Sequence, residues 1–294
     1  MKLDKIKPID IEAILARDNL RQRIAQIGLE LEGGWDRKTK LSPETRLVPD
    51  GSVHVSAFSA EKAAEYEAIL RLLRAGHDLT DVQQKRYNKL TEEKQLADQA
   101  LRVGELPSPI LSMKEKDGPL YWRAWLKQFY PSHVNETCGL HVHMSFNRAL
   151  TYQRCMDPTY PKTIIEYVTR WAERNRLART HPLWPRVEGK SEYCQHTYYA
   201  TEQAKEAIKR NTRADHHRPG SRYSVVNYCW KQHHTFEVRL LPMFETVELA
   251  ESAIAEVLAI TNAYLFATRR REDTAVANVL VDSSEMTFNV IERL

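Results

Sequence analysis

Three short stretches of this chain place ionisable residues at every second position and apolar residues between them. They are residues 27–32 (IGLELE), 139–146 (GLHVHMSF) and 235–240 (TFEVRL). Successive side chains of a β-strand point to opposite faces. Glu30 and Glu32 therefore share one strand face, and the leucines of the same stretch share the other. The pattern predicts three strands that each have an apolar face and an ionisable face.

The same alternation puts His141 and His143 on one face of the second strand, and Glu237 and Arg239 on one face of the third. Carboxylates on a buried strand are costly unless a partner compensates their charge. We expect that partner to be a metal, because Mg²⁺ prefers carboxylate, water and phosphate oxygens. Three to four carboxylates and one imidazole suit a pair of magnesium ions that hold a nucleotide triphosphate. An arginine beside them offsets charge on a transferring phosphoryl group.

Six motifs follow one another between Gly28 and Pro242, and together they resemble the amidoligase family. In order they are GLELE, DGS, GELPSP, CGLHVH, RYSVVN and TFEVRLLP. Each motif alone is unspecific, but the ordered series is much more specific. Amidoligases are carboxylate–amine ligases related to glutamine synthetase and the glutamate–cysteine ligases. The resemblance implies a glutamine-synthetase-like curved antiparallel sheet flanked by helices, with ATP and Mg²⁺ (or Mn²⁺) as cofactors. It also implies a small-molecule or peptide carboxylate and an amine as substrates.

The resemblance also assigns roles to individual residues. The metal ligands that it implies are Glu30, Glu32, Glu105, His141 and Glu237. The residues that it places near nucleotide or substrate are His141, Asp50, Ser52, Asn227 and Arg222. Arg239 matches a residue that contacts the phosphate or acyl phosphate, and Arg222 is a further catalytic candidate. Independently of the resemblance, the amine must lose a proton, and His143 or a carboxylate beside the metal ligands could accept it.

The order of the predicted elements favours an α+β fold, because the strands arrive singly or as hairpins without regular βαβ alternation. We expect one catalytic domain over residues 1–294. Residues 59–102 are rich in Ala, Glu, Lys, Gln and Leu, and they break near Gly76. This segment predicts an inserted helical hairpin. Residues 10–25 are predicted to form a helix that leads into the first strand.

Composition narrows the class of protein. The net charge is +4, without a concentrated basic stripe, so a nucleic-acid partner is not expected although it is not excluded. The first residues lack the apolar segment of a signal peptide, and no apolar run approaches the length of a membrane span. The four cysteines have no CxxC spacing, which favours a reduced, cytoplasmic protein. An oligomer is possible, and the sequence does not decide it.

Two other functions fit parts of the pattern. His141 and His143 with a carboxylate could form the site of a zinc-dependent hydrolase, and Cys138 lies close to them in sequence. Alternatively, a non-catalytic binding protein could keep the sheet and dock a partner through the hairpin. Structural explanations also remain open: an exposed edge strand accounts for Glu30 and Glu32, and a plain ion pair accounts for Glu237 and Arg239.

Overall fold

The computed structural model describes residues 2–17, 20, 22–41, 46–113, 118–146, 149–197, 223–229 and 235–268. Its strands are β1 (Ile24–Asp36), β2 (Leu101–Pro107), β3 (Leu111–Ser112), β4 (Gly139–Phe146), β5 (Val226–Cys229) and β6 (Thr235–Pro242). Its helices are α1 (Glu12–Leu15), α2 (Ala60–Arg74), α3 (Asp81–Ala100), α4 (Gly118–Phe129), α5 (Ala149–Cys155), α6 (Thr159–Arg174), α7 (Leu183–Val187) and α8 (Val247–Ala267). The predicted α+β class is confirmed.

The described strands form one open, antiparallel, six-stranded sheet. Their order is β2-β1-β4-β6-β5, and β3 pairs with the start of β1 beside β2. β1 is the longest strand, and β4 lies at the centre between β1 and β6. The three alternating stretches of the sequence are therefore neighbours in the sheet, which brings their ionisable faces together.

The apolar face of the sheet packs against helices. Leu29, Val142 and Phe236 belong to one buried cluster with residues of α4, α6 and α8. Phe236 also makes edge-on aromatic contacts, with ring centroids 4.7 Å from Tyr228 and 5.3 Å from Tyr152. Buried aromatic rings bring large apolar area and a defined packing geometry. The core therefore fixes which face of each strand is left for polar groups.

The predicted helix over residues 10–25 is wrong. α1 covers only Glu12–Leu15, and β1 already begins at Ile24. Tertiary contacts outweigh the helical pattern here. The Ile11 amide donates to the hydroxyl of Tyr167 on α6, and the Arg23 amide donates to the side chain of Asn262 on α8.

Residues 59–102 contain α2 and α3, joined through Gly76, whose φ is +79°. Ser59 caps α2, and Thr80 with Gln83 forms a capping box at α3. Few side chains of these helices are buried: Ile69 on α2 and Leu90 on α3. The two helices hold each other mainly through surface contacts.

These surface contacts are aromatic and ionic. The rings of Tyr66 and Tyr87 stack with centroids 5.5 Å apart. Ion pairs join Lys62 to Glu93 and Arg86 to Glu65. Exposed ion pairs of this kind are screened by water and contribute little to stability, so the hairpin adds little to the main core.

Among the described residues, α8 is the one helix that is long and apolar enough to cross a membrane by length and composition. Its buried residues include Ile254 and Val257, and 56% of its most apolar window is covered by the rest of the fold. The Thr261 hydroxyl also bonds to the hydroxyl of Tyr160 on α6, at 2.9 Å. These contacts are those of a core helix.

Candidate metal centre

Strand register aligns the ionisable residues in rows across the sheet. Glu30 of β1 lies opposite His141 of β4, and Glu32 of β1 lies opposite Glu105 of β2. A second row crosses from β1 to β5. It runs through Gly28, His143, Glu237 and Asn227. Residues as far apart in the chain as Gly28 and Glu237 thus share one face, because cross-strand neighbours on one face lie within contact distance.

His141 is the centre of this cluster. Its Nδ1 lies 3.1 Å from Glu30 Oε2 and 3.3 Å from Glu237 Oε1, and its Nε2 lies 3.6 Å from Glu32 Oε1. The ligand atoms of Glu30, His141 and Glu237 lie within 4.8 Å of one another, and so do those of Glu32, Glu105 and His141. Two groups of potential metal ligands therefore meet at one imidazole.

The second row holds the carboxylate of Glu237 from several sides. Asn227 Nδ2 donates to Glu237 Oε2 at 2.8 Å, and Arg239 donates to Oε1. Glu237 is 2% exposed. Burial alone would raise the pKa of Glu237, but Arg239 and the nearby imidazoles outweigh it and lower that pKa. Glu237 is therefore held as a carboxylate.

His143 pairs with Glu30 instead of standing free. Its Nε2 lies 2.9 Å from Glu30 Oε1, and its Nδ1 lies 3.0 Å from the hydroxyl of Thr235. Burial opposes a charge on the ring, yet the carboxylates of Glu30 and Glu237 raise the pKa of His143 to about 9. Burial also opposes the charge of Glu30, but the two histidines lower its pKa well below the usual range. The pair is thus an imidazolium and a carboxylate.

Glu105 is the carboxyl group that most needs a cation. Its burial, together with the charges of Glu30, Glu32 and Glu237, raises its pKa to about 8. Crowded carboxylates without a counterion repel one another, so at least one of them binds a proton. A divalent cation among them would offset this repulsion, so that the proton would no longer be favoured.

β4 begins with Gly139, and the close contacts at this position explain why the residue has no side chain. A Cβ at this position would lie 2.6 Å from His141 Nε2 and 2.9 Å from Glu32 Oε2. The Gly139 amide also donates to Glu32 Oε2. The glycine is required by close approach of the ligand side chains to the backbone.

The DGS motif lies beside β2. The backbone of Val48 pairs with that of Glu105, with N–O distances of 2.8 and 2.9 Å. Asp50 Oδ1 accepts from the amide and the hydroxyl of Ser52, both at 2.7 Å, and its charge contributes to the raised pKa of Glu105. Asp50 and Ser52 therefore lie in a turn at the edge of the site, while Arg222 lies outside the described residues.

Two contributors were not assigned a role from the sequence. Thr235 shares the ionisable face of β6, and that alternation was the signal for its contact with His143. Arg186 belongs to a polar stretch without readable periodicity, but the structure buries it in α7. Its guanidinium donates to backbone carbonyls of β6, which no sequence pattern indicated.

The donor set fits a hard divalent cation. Four carboxyl groups, one imidazole and the amide of Asn227 offer mainly oxygen ligands, as Mg²⁺ and Mn²⁺ prefer. Asn227 Oδ1 and Arg239 Nε are buried, and neither has a hydrogen-bond partner in the described part of the chain. Buried polar atoms of this kind normally have partners, so an acceptor and a donor are free to meet a bound group.

Zinc fits the same residues less well. Nδ1 of His143 contacts the Thr235 hydroxyl and its Nε2 lies 2.9 Å from Glu30 Oε1, so both ring nitrogens already face protein groups. Burial raises the pKa of the Cys138 thiol to about 11, and its Sγ faces Asn135. A thiolate ligand is therefore disfavoured at Cys138.

Comparisons with protein-family models, with curated proteins and with solved structures found no match to this chain. The amidoligase resemblance rests on the six ordered motifs alone. The functional argument accordingly depends on the geometry of the cluster.

Proposed function

We propose that this protein is an ATP- and Mg²⁺-dependent ligase that forms an amide bond between a carboxylate and an amine. The observation that carries the proposal is the convergence of Glu30, Glu32, Glu105 and Glu237 on His141 in two groups of ligand atoms. The sheet would then be of the glutamine-synthetase-like kind, and the protein would act in the cytoplasm. Its substrates are a small-molecule or peptide carboxylate and an amine.

Each metal ion has its own set of residues under this proposal. Glu30 and Glu237 would hold one ion and Glu32 and Glu105 the other, and His141, whose neutral ring has a single lone pair, would ligate one of the two. ATP bound there would supply the phosphoryl group that converts a poor electrophile, the carboxylate, into an acyl phosphate. Mn²⁺ satisfies the same oxygen ligands.

The chain's own residues would orient the reacting groups and neutralise their charge. Arg239 has a buried Nε that is free to donate to a phosphoryl oxygen, and Glu237 holds its Nη1 in place. The amine nitrogen attacks the acyl carbon, phosphate leaves with one former carboxylate oxygen, and the nitrogen loses a proton. The contact with Glu30 favours the protonated ring of His143, so His143 is a poor proton acceptor at neutral pH. Its role as the base stays a prediction. Positioning and electrostatic stabilisation would account for most of the acceleration.

The test is ADP release from ATP with Mg²⁺ and pooled amino acids or amines. Glu30→Gln and Glu237→Gln keep the side-chain shape but remove a ligand charge. We expect each to weaken Mn²⁺ binding by at least about 100-fold, the upper end of the effect of outer-shell changes, and to abolish ADP release. Glu166→Gln on α6 is the control, because that carboxylate makes an exposed pair with Arg170.

Three results would contradict the proposal. One is full ADP release by both site variants. Another is stoichiometric zinc in the purified protein, which would favour the hydrolase. The third is a wild-type protein whose thermal midpoint does not respond to ATP and Mg²⁺, which would favour a non-catalytic binding protein.

A further inference from the structure

Arg186 is a buried cation close to the metal centre without being part of it. Its side chain is fully enclosed, with 2% exposure. Among the described residues, its guanidinium donates to backbone carbonyls: Nη1 to Arg239 O (3.1 Å) and Leu241 O (3.3 Å), and Nη2 to Cys138 O (3.3 Å). Within the described residues no carboxylate pairs with it directly. An unpaired buried charge is costly, so this arginine needs an explanation.

One explanation lies in a β-bulge. Between Val238 and Leu241, two residues of β6 face the single residue His141 of β4. Bulges interrupt the ladder and redirect side chains, and the carbonyls that they free need other donors. Arg186 supplies those donors on both sides of the bulge. The amide of Arg239 is held by Val225 O at 2.9 Å, so the backbone of Arg239 is fixed at both its N–H and its C=O.

The other explanation lies in the peptide group between Cys138 and Gly139. Its carbonyl accepts from Arg186 and also from the Met243 amide at 3.0 Å, and its N–H donates to the Glu32 carboxylate. Hydrogen bonds in a chain polarise one another, and bonds to ionised groups are the strong ones. The positive guanidinium and the negative carboxylate thus act on opposite ends of one peptide dipole.

We propose that Arg186 is a positioning residue that orients the metal ligand Glu32 through the Cys138–Gly139 peptide and fixes the β6 bulge that carries Arg239. This inference rests on the proposed metal centre for its functional meaning. The contact chain itself does not depend on metal or on catalysis. Its two consequences can therefore be measured separately.

The first measurement is made on metal-free protein. Cys138-Gly139 is the single Cys-Gly sequence in the chain. Labelling cysteine with ¹³C at the carbonyl and glycine with ¹⁵N gives one HNCO cross-peak for that peptide. We expect Arg186→Gln, which removes the charge, to move the Gly139 amide proton upfield, because its hydrogen bond to Glu32 weakens. Arg186→Lys keeps the charge without the planar fork, so it should give a smaller shift, and it replaces Arg186→Gln if that variant does not fold.

Arg102→Gln is the matched control. The guanidinium of Arg102 also donates to two backbone carbonyls, those of Asp36 and Thr39. Its loss should leave the Gly139 signal unchanged. A Gly139 signal that does not move in either Arg186 variant would overturn the proposal.

The second measurement is a double-mutant cycle on Mn²⁺ affinity, which separates positioning from general stabilisation. Arg186→Gln should weaken Mn²⁺ binding by about 10- to 100-fold, as loss of an outer-shell partner does. In a Glu32→Gln background most of that factor should disappear, whereas in a Glu105→Gln background it should persist. An equal factor in both backgrounds would overturn the positioning role. If the wild-type protein binds no Mn²⁺, the proposed function fails, and the cross-peak decides the Arg186 contact by itself.

Discussion

At the residue scale, the carboxyl groups of the cluster differ in what holds them. Glu237 has Arg239 and Asn227 as direct donors, and Glu30 has His143. Glu105 has no such cation beside it among the described residues, and its environment raises its pKa to about 8. The residues that look equivalent in sequence are therefore unequal in charge.

The raised pKa of Glu105 predicts that metal binding depends on pH. In metal-free protein below about pH 8, Glu105 holds a proton, and a cation must displace it. Mn²⁺ affinity should therefore rise as the pH increases from about 6 to about 8, by up to about tenfold per pH unit. Titrations followed by electron paramagnetic resonance would measure this rise. Glu105→Gln should bind Mn²⁺ more weakly and with a flatter pH profile, and an unchanged slope in that variant would exclude Glu105 as the source.

At the element scale, the start of β4 depends on the absence of a side chain at Gly139. The atoms that a Cβ would meet there are the ends of Glu32 and His141. Such side-chain ends can move, so the strand should survive a substitution. The ligand geometry should not, because the same two side chains belong to the candidate metal centre.

Gly139→Ala should therefore damage metal binding more than stability. We expect Mn²⁺ affinity to fall about 10- to 100-fold, with a loss of about 1–3 kcal/mol in the free energy of unfolding. Urea denaturation and Mn²⁺ titration measure the two effects. Gly28→Ala on β1 is the control, since its Cβ would make an ordinary 3.5 Å contact with His143. Comparable losses of Mn²⁺ affinity in both variants would contradict the close-approach argument.

At the scale of the whole molecule, the sheet with its packed helices and the α2–α3 hairpin differ in how they are stabilised. The sheet and α8 share one buried cluster, whereas the hairpin buries few residues and relies on exposed ion pairs. Segments with few buried contacts tolerate truncation. The outer half of the hairpin is thus separable from the metal centre.

Replacing residues 67–86 by a short Gly-Ser loop would test this separation. The stacked rings of Tyr66 and Tyr87 place the two cut ends side by side, 5.5 Å apart by ring centroid. We expect the free energy of unfolding to fall by no more than about 3 kcal/mol, because Ile69 is the one buried side chain of α2 and α3 that the replacement removes. Mn²⁺ affinity should stay at the wild-type value. A marked drop in affinity would show that the hairpin supports the site.

The sequence by itself determined the strands and the face on which each ionisable residue lies. Alternation in residues 27–32, 139–146 and 235–240 is a local property with a period of two, so it can be read without knowing the fold. The α+β class followed from the order of the elements. Helix boundaries that depend on tertiary contacts, such as those of α1, could not be derived from the sequence.

Only the tertiary structure decided which of these residues meet and in what state. Strand order and register set the His141 contacts and the charge difference between Glu105 and Glu237. The contacts of Arg186 follow only from the tertiary structure, because its partners are backbone carbonyls, which every residue offers alike. Pairing between distant strands and burial are long-range effects, and a local pattern carries no information about them.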